Sequence, residues 1–246
     1  SPRTLQMPPE AEDHISSLFL GAMTGVGMGT DMVVNGVIER RYTPYHIRHE
    51  TEVAGFMTIL HGDDRLYNNI FVQNWPVKEA EIMEDMGFMT SDNQIVGTDV
   101  FDIFPDYETW IRPFDLNGQP NMFTMQDYHY KSLPVWVNGN AYFNGAKPSK
   151  YESHKLESSA PVTVDLVEEN GKYRIQTNLF DLLKDFRAGI ISTETLGEAF
   201  EPEQRFEQPD GSAIIFDRDY LGGHREGLSA IPGPFACAEA AAKQLW

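Results

Sequence analysis

The sequence predicts an all-β fold, and this prediction depends on strand length, turn residues and a recurring Asn. Helical periodicity is scarce, because the candidate helices are short and fall at residues 76–86, 179–188 and 236–246. Between them lie short apolar runs of strand length, separated by Gly, Asn, Asp and Pro residues that favour turns. A solenoid of parallel strands and a sandwich of ordinary hairpins both fit these observations.

The predicted strands follow one another along the chain. They cover residues 32–38, 53–60, 66–73, 135–137, 141–143, 162–168, 173–177 and 213–216. Asn170-Gly171 predicts a hairpin turn between two of these strands, since this pair readily adopts the positive φ values of a type I′ turn.

An Asn directly precedes three short apolar runs. Asn69 follows Asn35 by 34 residues, and Asn140 follows Asn69 by 71 residues, which is close to two such periods. An Asn in a tight turn tolerates the left-handed conformation, and its side chain can hydrogen-bond an Asn stacked above it. This stacking is typical of a solenoid in which each coil supplies a strand to each face.

The chain divides into two predicted segments. Residues 1–148 hold the Asn–strand pattern and are expected to form coils that carry the site. A polar joint at Lys147-Pro148-Ser149-Lys150 separates them from residues 151–246, where hairpins and short helices are expected. This second segment would close the end of the coils and cover a sheet edge that otherwise pairs with other chains.

The composition excludes several classes of protein. Nineteen basic and 37 acidic residues give a net charge of −18, which argues against a nucleic-acid partner. No apolar run approaches the ~18–20 residues of a membrane span, and no signal peptide is visible before residue 15. Cys237 is the single cysteine, so no disulfide forms within the chain. Both a cytoplasmic and a secreted bacterial location remain open, and the Ser1 start is compatible with processing of a longer precursor.

Ionisable and aromatic side chains are densest in residues 39–52, which join two predicted strands. Loops held by a rigid scaffold often carry sites, although a solvated loop with surface ion pairs is the alternative. His46 and His49 are weak zinc candidates, because they lack a helix and any Cys nearby, and they suit hydrogen bonds to an anionic or polyhydroxylated ligand better. Glu52 lies where the loop meets a strand, so burial there would raise its pKa toward that of a general acid.

Other reaction chemistries find little support in the sequence. The glycines of residues 21–29 lack the strand–helix context of a dinucleotide-binding loop. No Gly-x-Ser-x-Gly motif is present, and Cys237 has no evident base beside it. Carboxylate chemistry is therefore the remaining expectation.

Eight ordered motifs lie at residues 41–46, 49–55, 62–72, 138–146, 193–197, 209–212, 219–222 and 232–235. These motifs resemble those of the right-handed parallel β-helix β-xylosidases of glycoside hydrolase family 120 and their relatives. They occur in the same order as in that family, and together they match its C-terminal portion. The resemblance implies a right-handed parallel β-helix with a C-terminal region of hairpins and short helices that caps it.

The same resemblance implies hydrolysis of a terminal sugar, with xylose expected, from short plant-type oligosaccharides by a retaining mechanism with two carboxylates. It implies Glu52 as the acid/base and Asp31 as the nucleophile, since the family has an Asp upstream. The predicted substrate-binding residues are His46, His49, Arg48 and Tyr45. A non-catalytic carbohydrate-binding β-helix subunit is the alternative, and a polysaccharide lyase is a weaker one.

Family members are much longer than this chain, so a companion polypeptide or a homo-oligomer is expected to complete the β-helix. No cofactor is firmly predicted. Calcium is a candidate because Asp residues offer hard oxygen ligands, although none forms a recognisable calcium loop. The five Asp residues concerned are Asp63, Asp64, Asp99, Asp102 and Asp106. Asp63 and Asp64 are expected mainly to tie one coil to its neighbour.

Overall fold

A computed structural model describes residues 13–19, 33–34, 37–38, 63–74, 82–83, 88–89, 95–111, 133–199, 204–208, 210–227 and 230–238. These residues form an all-β structure with few and short helices. The strands are β1 (Asp13–Ile15), β2 (Leu18–Phe19), β3 (Val33–Val34), β4 (Val37–Ile38), β5 (Arg65–Tyr67), β6 (Ile70–Val72), β7 (Ile82–Met83), β8 (Phe88–Met89), β9 (Trp136–Asn138), β10 (Asn140–Phe143), β11 (Lys155–Ser158), β12 (Val164–Glu169), β13 (Lys172–Thr177), β14 (Glu198–Ala199) and β15 (Gln204–Arg205). The helices are α1 (Tyr107–Ile111), α2 (Leu179–Leu183) and α3 (Thr193–Leu196), with a 3₁₀ helix at Asp99–Ile103. None of these described helices has the length and apolar character needed to cross a bilayer.

Two short parallel sheets form the centre of the structure. The first has the strand order β1-β5-β9, and the second has the order β11-β10-β6-β2. Each strand of the first sheet continues through a very short turn into a strand of the second. We call each strand–turn–strand unit a rung, so that residues 13–19, 65–72 and 136–143 are rungs 1, 2 and 3.

The turn of each rung contains a residue in the left-handed conformation. These residues are Ser16 (φ 54°), Asn68 (φ 57°) and Gly139 (φ 73°). Glycine is required in rung 3, because a Cβ atom on Gly139 would lie 2.2 Å from Oδ1 of Asn68. The next residue of each turn, Ser17, Asn69 or Asn140, begins the connection to the second sheet.

The inner core lies between the two sheets. Leu66 and Val137 of the first sheet pack in one cluster with Phe71 and Tyr142 of the second. The rings of Phe71 and Tyr142 stack with centroids 5.1 Å apart and planes 8° apart. Successive side chains of a strand point to opposite faces, so their neighbours Ile70, Val72, Ala141 and Phe143 face outward and pack in a second cluster.

The β12–β13 hairpin and α2 cover this outer face of the second sheet. Val164 and Leu179 pack with the outward row of β6 and β10, and Ile175 contacts the same cluster. The hairpin turns at Asn170 (φ 57°) and Gly171 (φ 74°), which confirms the type of turn predicted from the sequence.

The C-terminal residues cover the outer face of the first sheet. Tyr67 packs there against Ile191, Leu196, Phe206 and Ile214. The short α3 helix and the antiparallel β14–β15 pair thus rest on the strand stack, which makes these residues an integral part of its core.

Two predicted elements are wrong where the structure describes them. The strands at residues 33–34 and 37–38 do not stack on β6, because β3 and β4 pair antiparallel with each other and β6 pairs with β2. Ser17 therefore takes the place predicted for Asn35. The predicted helix at residues 76–86 is wrong at Ile82–Met83, which is a strand paired with Phe88–Met89.

The remaining predicted elements agree in part. The run at residues 66–73 is two strands, because the positive φ of Asn68 breaks it into β5 and β6. The predicted helix at 179–188 ends already at Leu183, and residues 213–216 form isolated bridges instead of a strand. The strand predicted at 53–60 and residues 239–246 lie outside the described residues. β11 pairs with β10 across the predicted joint at 147–150, while the division into two segments stays a prediction.

Candidate functional site

The six residues predicted to act on substrate all precede β5. They are Asp31, Tyr45, His46, Arg48, His49 and Glu52, and all of them lie outside the described residues. Their assignment stays a prediction. The described residues that adjoin this part of the chain begin at Asp63, so the geometry of the candidate site is built from there.

Asp63 lies two residues before rung 2 and forms an ion pair with Arg65, the first residue of that rung. Its side chain is 1% exposed, its φ is 62°, and its Oδ1 lies 2.7 Å from Nη1 of Arg65, which is 2% exposed. Its N–H also donates to the carbonyl of Pro134 (2.7 Å), while Trp136 N–H donates to the carbonyl of Asp64 (2.8 Å). Through their backbone groups, Asp63 and Asp64 therefore connect the residues that lead into rung 2 with those that lead into rung 3.

Arg65 extends this connection to the C-terminal residues. Its guanidinium lies between two rings, with Cζ 4.5 Å from the centroid of Trp136 and 4.6 Å from that of Phe206. Its Nε donates to the carbonyl of Leu196 (3.0 Å) and its Nη2 to the carbonyl of Glu198 (2.7 Å). A buried cation held by rings, carbonyls and a carboxylate is a structural group, because its donors are already used.

A ladder of side-chain hydrogen bonds connects the turns of the rungs. Ser17 N–H donates to Oδ1 of Asn69 (2.8 Å), and Asn69 N–H donates to Oδ1 of Asn140 (2.7 Å). Asn140 N–H in turn donates to Oε1 of Glu152 (2.9 Å). The Asn69–Asn140 contact confirms the predicted stacking, but Glu152 at the end of the ladder carried no signal in the sequence pattern.

Glu152 belongs to a buried polar network. It is 3% exposed, and its Oε1 also accepts a bond from Nδ2 of Asn140 (2.8 Å) while its Oε2 accepts one from Tyr142. Oη of Tyr142 lies 2.8 Å from Oγ1 of Thr98, which accepts a bond from Ser149 N–H (2.8 Å). Tyr142 gives its single hydroxyl proton to Glu152, so the hydroxyl of Thr98 donates to Tyr142.

Burial sets the protonation behaviour of this network. It raises the pKa of Glu152, and the hydrogen bonds from Tyr142 and Asn140 offset part of that rise. Burial and the adjacent Glu152 carboxyl raise the pKa of Tyr142. The network has the perturbed groups of a reactive site but is closed to solvent, so it is suited to specifying the rung register.

Two of the Asp residues considered as calcium ligands accept hydrogen bonds within the protein. Oδ1 of Asp102 accepts bonds from Ser149 Oγ (2.7 Å) and Lys150 N–H (2.8 Å). Oδ1 of Asp106 accepts a bond from Thr109 N–H (2.7 Å) at the start of α1. Within the described part of the chain, no group of three or more His, Cys, Asp or Glu is placed to hold a metal.

A groove lies beside the turn of rung 1. It has a volume of about 730 Å³ and runs between that turn, the β12–β13 hairpin and residues 216–235. The sequence analysis did not find it, because its walls come from three parts of the chain that share no motif.

One solved structure resembles the chain across nearly its whole length. It is the structure of XylC in complex with xylose, with a TM-score of 0.66 and 26% sequence identity. The chain therefore has a fold related to that of XylC. The match covers 96% of this chain and 34% of the XylC chain, so this chain spans about a third of the length of XylC. No protein-family model and no curated protein matches the chain.

Proposed function

We propose that the protein is a β-xylosidase-like glycoside hydrolase built on a right-handed parallel β-helix. The observation that carries the proposal is the likeness to the XylC–xylose structure, which extends over 96% of this chain. The parallel rungs and their side-chain ladder are compatible with a β-helix. The order of the motifs noted in the sequence supports the same family of enzymes.

The proposed reaction uses Asp31 and Glu52 in two steps. Asp31 attacks the anomeric carbon while Glu52 protonates the departing oxygen, which breaks the glycosidic bond and forms a glycosyl ester. Glu52 then removes a proton from water, and this water hydrolyses the ester and restores both carboxyl groups. His46, His49, Arg48 and Tyr45 are proposed to hold the sugar hydroxyls.

Aryl β-xylosides with good and poor leaving groups test this assignment. Glu52→Gln is expected to lower kcat on phenyl β-xyloside by about 10²–10⁴, and far less on a nitrophenyl xyloside that needs little protonation. Asp31→Asn is expected to abolish turnover of both substrates. Glu50→Gln makes the same change of charge close to the site in sequence and serves as the matched control.

Two outcomes would replace the proposal. A wild-type protein that is inert on all aryl glycosides but is retained on a xylan column would indicate the carbohydrate-binding subunit. An unsaturated, ultraviolet-absorbing product from a uronate polymer would indicate the lyase. Equal rates of wild type and Glu52→Gln on phenyl β-xyloside would remove Glu52 as the acid.

We further propose that a companion polypeptide or a second copy of the chain completes the β-helix. Within the described part, β1 and β2 are edge strands of their parallel sheets. Such edges pair readily with strands of another chain. Light scattering and intact mass of the purified protein test this, since a lone monomer with full xylosidase activity would contradict it.

A further inference from the structure

The groove beside rung 1 has the size and lining of a small-molecule site. Ligand pockets commonly enclose about 300–1,000 Å³ and combine apolar walls with a few polar groups. Here Leu18 forms one wall, Leu166 and Ile175 of the hairpin form the second, and Phe216 and Phe235 form the third. This groove is about 730 Å³ in volume and falls inside that range.

The mouth of the groove exposes apolar surface. Leu166 is 59% exposed and Tyr220 is 52% exposed, although both line the groove. The ring of Tyr220 meets that of Phe235 edge to face, with centroids 6.2 Å apart and an angle of 80°. Exposed apolar side chains at the mouth of a groove favour a ligand with an apolar body.

The charge of the groove is opposite to that of the whole protein. The charged side chains of its lining within the described part are Arg218, Asp219 and Arg225, which sum to +1, whereas the chain carries −18. An anionic ligand is therefore favoured here, and it would be repelled by most of the remaining surface.

Asp219 and Arg225 are already engaged in the protein. The carboxylate of Asp219 is 7% exposed and accepts three backbone N–H bonds, from Leu221, Gly223 and Ala236. Arg225 is 4% exposed and donates to three carbonyls, those of Arg218, Ile231 and Gly233. These two side chains line the groove, and most of their hydrogen-bond donors and acceptors are already paired with backbone groups of the protein.

Arg218 is different from this pair because its side chain is exposed. Its Nη1 donates to the carbonyl of Gly222 (3.1 Å), and within the described residues its Nε and Nη2 make no hydrogen bond. An exposed guanidinium with donors to spare is a good partner for a carboxylate.

We propose that this groove binds a small monocarboxylate with an apolar body, and that the carboxylate pairs with Arg218. The apolar body then lies between the hairpin and the wall formed by Phe216 and Phe235. The charged contact is assigned to Arg218 alone, and the lining also holds the hydroxyl groups of Ser16, Ser17 and Tyr220. The inference is independent of the proposed glycosidase activity.

Calorimetric titration with two acids and their primary amides tests the proposal. Octanoate and 3-phenylpropanoate represent alkyl and aryl bodies, and each amide keeps the shape of its acid while removing the charge. At least one acid is expected to bind about tenfold more tightly than its amide, which is the ratio expected from one charge-assisted contact.

Variants locate the site. Arg218→Gln is expected to remove the preference for acid over amide, whereas Arg187→Gln, an exposed arginine outside the groove lining, should keep it. Leu166→Asp adds a negative charge at the mouth and is expected to weaken acid binding more than amide binding. Far-ultraviolet circular dichroism confirms that each variant is folded.

Three results would overturn the proposal. The first is equal affinity of acid and amide for the wild type, and the second is absence of binding by both acids. The third is an equal loss of affinity in Arg218→Gln and Arg187→Gln, because that would show a general effect of net charge.

Discussion

Replacing Asn140 by Ala tests the ladder that connects the rungs. Asn140 is fully buried, and its Oδ1 accepts the N–H of Asn69 while its Nδ2 donates to the carbonyl of Leu66 and to Glu152. The substitution removes the acceptor of the buried Asn69 N–H, which costs about 1–3 kcal/mol. The lost bond to Glu152 adds about 1 kcal/mol or more, because its acceptor is a carboxyl group. We therefore expect a loss of about 2–4 kcal/mol of unfolding free energy.

Urea denaturation followed by circular dichroism measures this loss. Asn138→Ala is the matched control, because Asn138 lies in the same rung but is exposed, and its Oδ1 accepts a long bond from His154 N–H (3.2 Å). The control substitution is expected to lower the unfolding free energy by less than about 1 kcal/mol. If Asn140→Ala costs no more than Asn138→Ala, the ladder does not stabilise the stack and the reasoning fails.

Three other substitutions test separate contacts. Arg65→Met should cost about 3–5 kcal/mol, because it removes the guanidinium that pairs with the buried carboxylate of Asp63, and adding Asp63→Asn should recover part of this loss. Gly97→Ala should be strongly destabilising, because its Cβ would lie 2.0 Å from the backbone oxygen of Lys147 and its φ is +146°. Burial raises the pKa of Glu152 above 4.5, so its contribution to stability is present below 4.5 and is lost as pH rises through the raised pKa. The unfolding free energy of Glu152→Gln should therefore rise relative to that of wild type as pH increases above 4.5. Denaturant titrations at several pH values measure this difference.

Each of these substitutions has an exposed counterpart. Arg174→Met removes a surface ion pair and should cost less than about 1 kcal/mol. Gly171→Ala changes a glycine whose Cβ would meet nothing within 4 Å, so only its positive φ opposes the change. Glu157→Gln makes the same chemical change at an exposed carboxyl. Equal effects in a variant and its counterpart would contradict the contact assigned to that variant.

The all-β class could be predicted because strand length, turn residues and the scarcity of helical periodicity are local properties. The hairpin at Asn170-Gly171 is the clearest example, since the two residues that fix its turn are adjacent. The stacking of Asn69 and Asn140 could be predicted from their shared sequence context. The first member of the ladder, Ser17, could not be predicted, because it contributes its backbone N–H and its side chain gives no signal in the sequence.

The buried contacts that hold the stack together were harder to predict. Arg65 contacts Phe206 and Leu196, which lie more than a hundred residues later in the sequence, so no local pattern indicates these contacts. Glu152 lies in an irregular connection, where an acid is expected to be exposed, and only the three-dimensional structure shows it buried. The predicted site residues, Glu52 and Asp31 among them, lie outside the described residues and remain to be tested by activity.

Proton magnetic resonance of the first xylose released from an aryl β-xyloside tests the central claim most directly. The assay uses the purified protein together with any polypeptide that co-purifies with it. A two-carboxylate retaining mechanism predicts that β-xylose appears first and that the α-anomer grows in later by mutarotation. Release of α-xylose first, or no release from any aryl glycoside, would contradict the account.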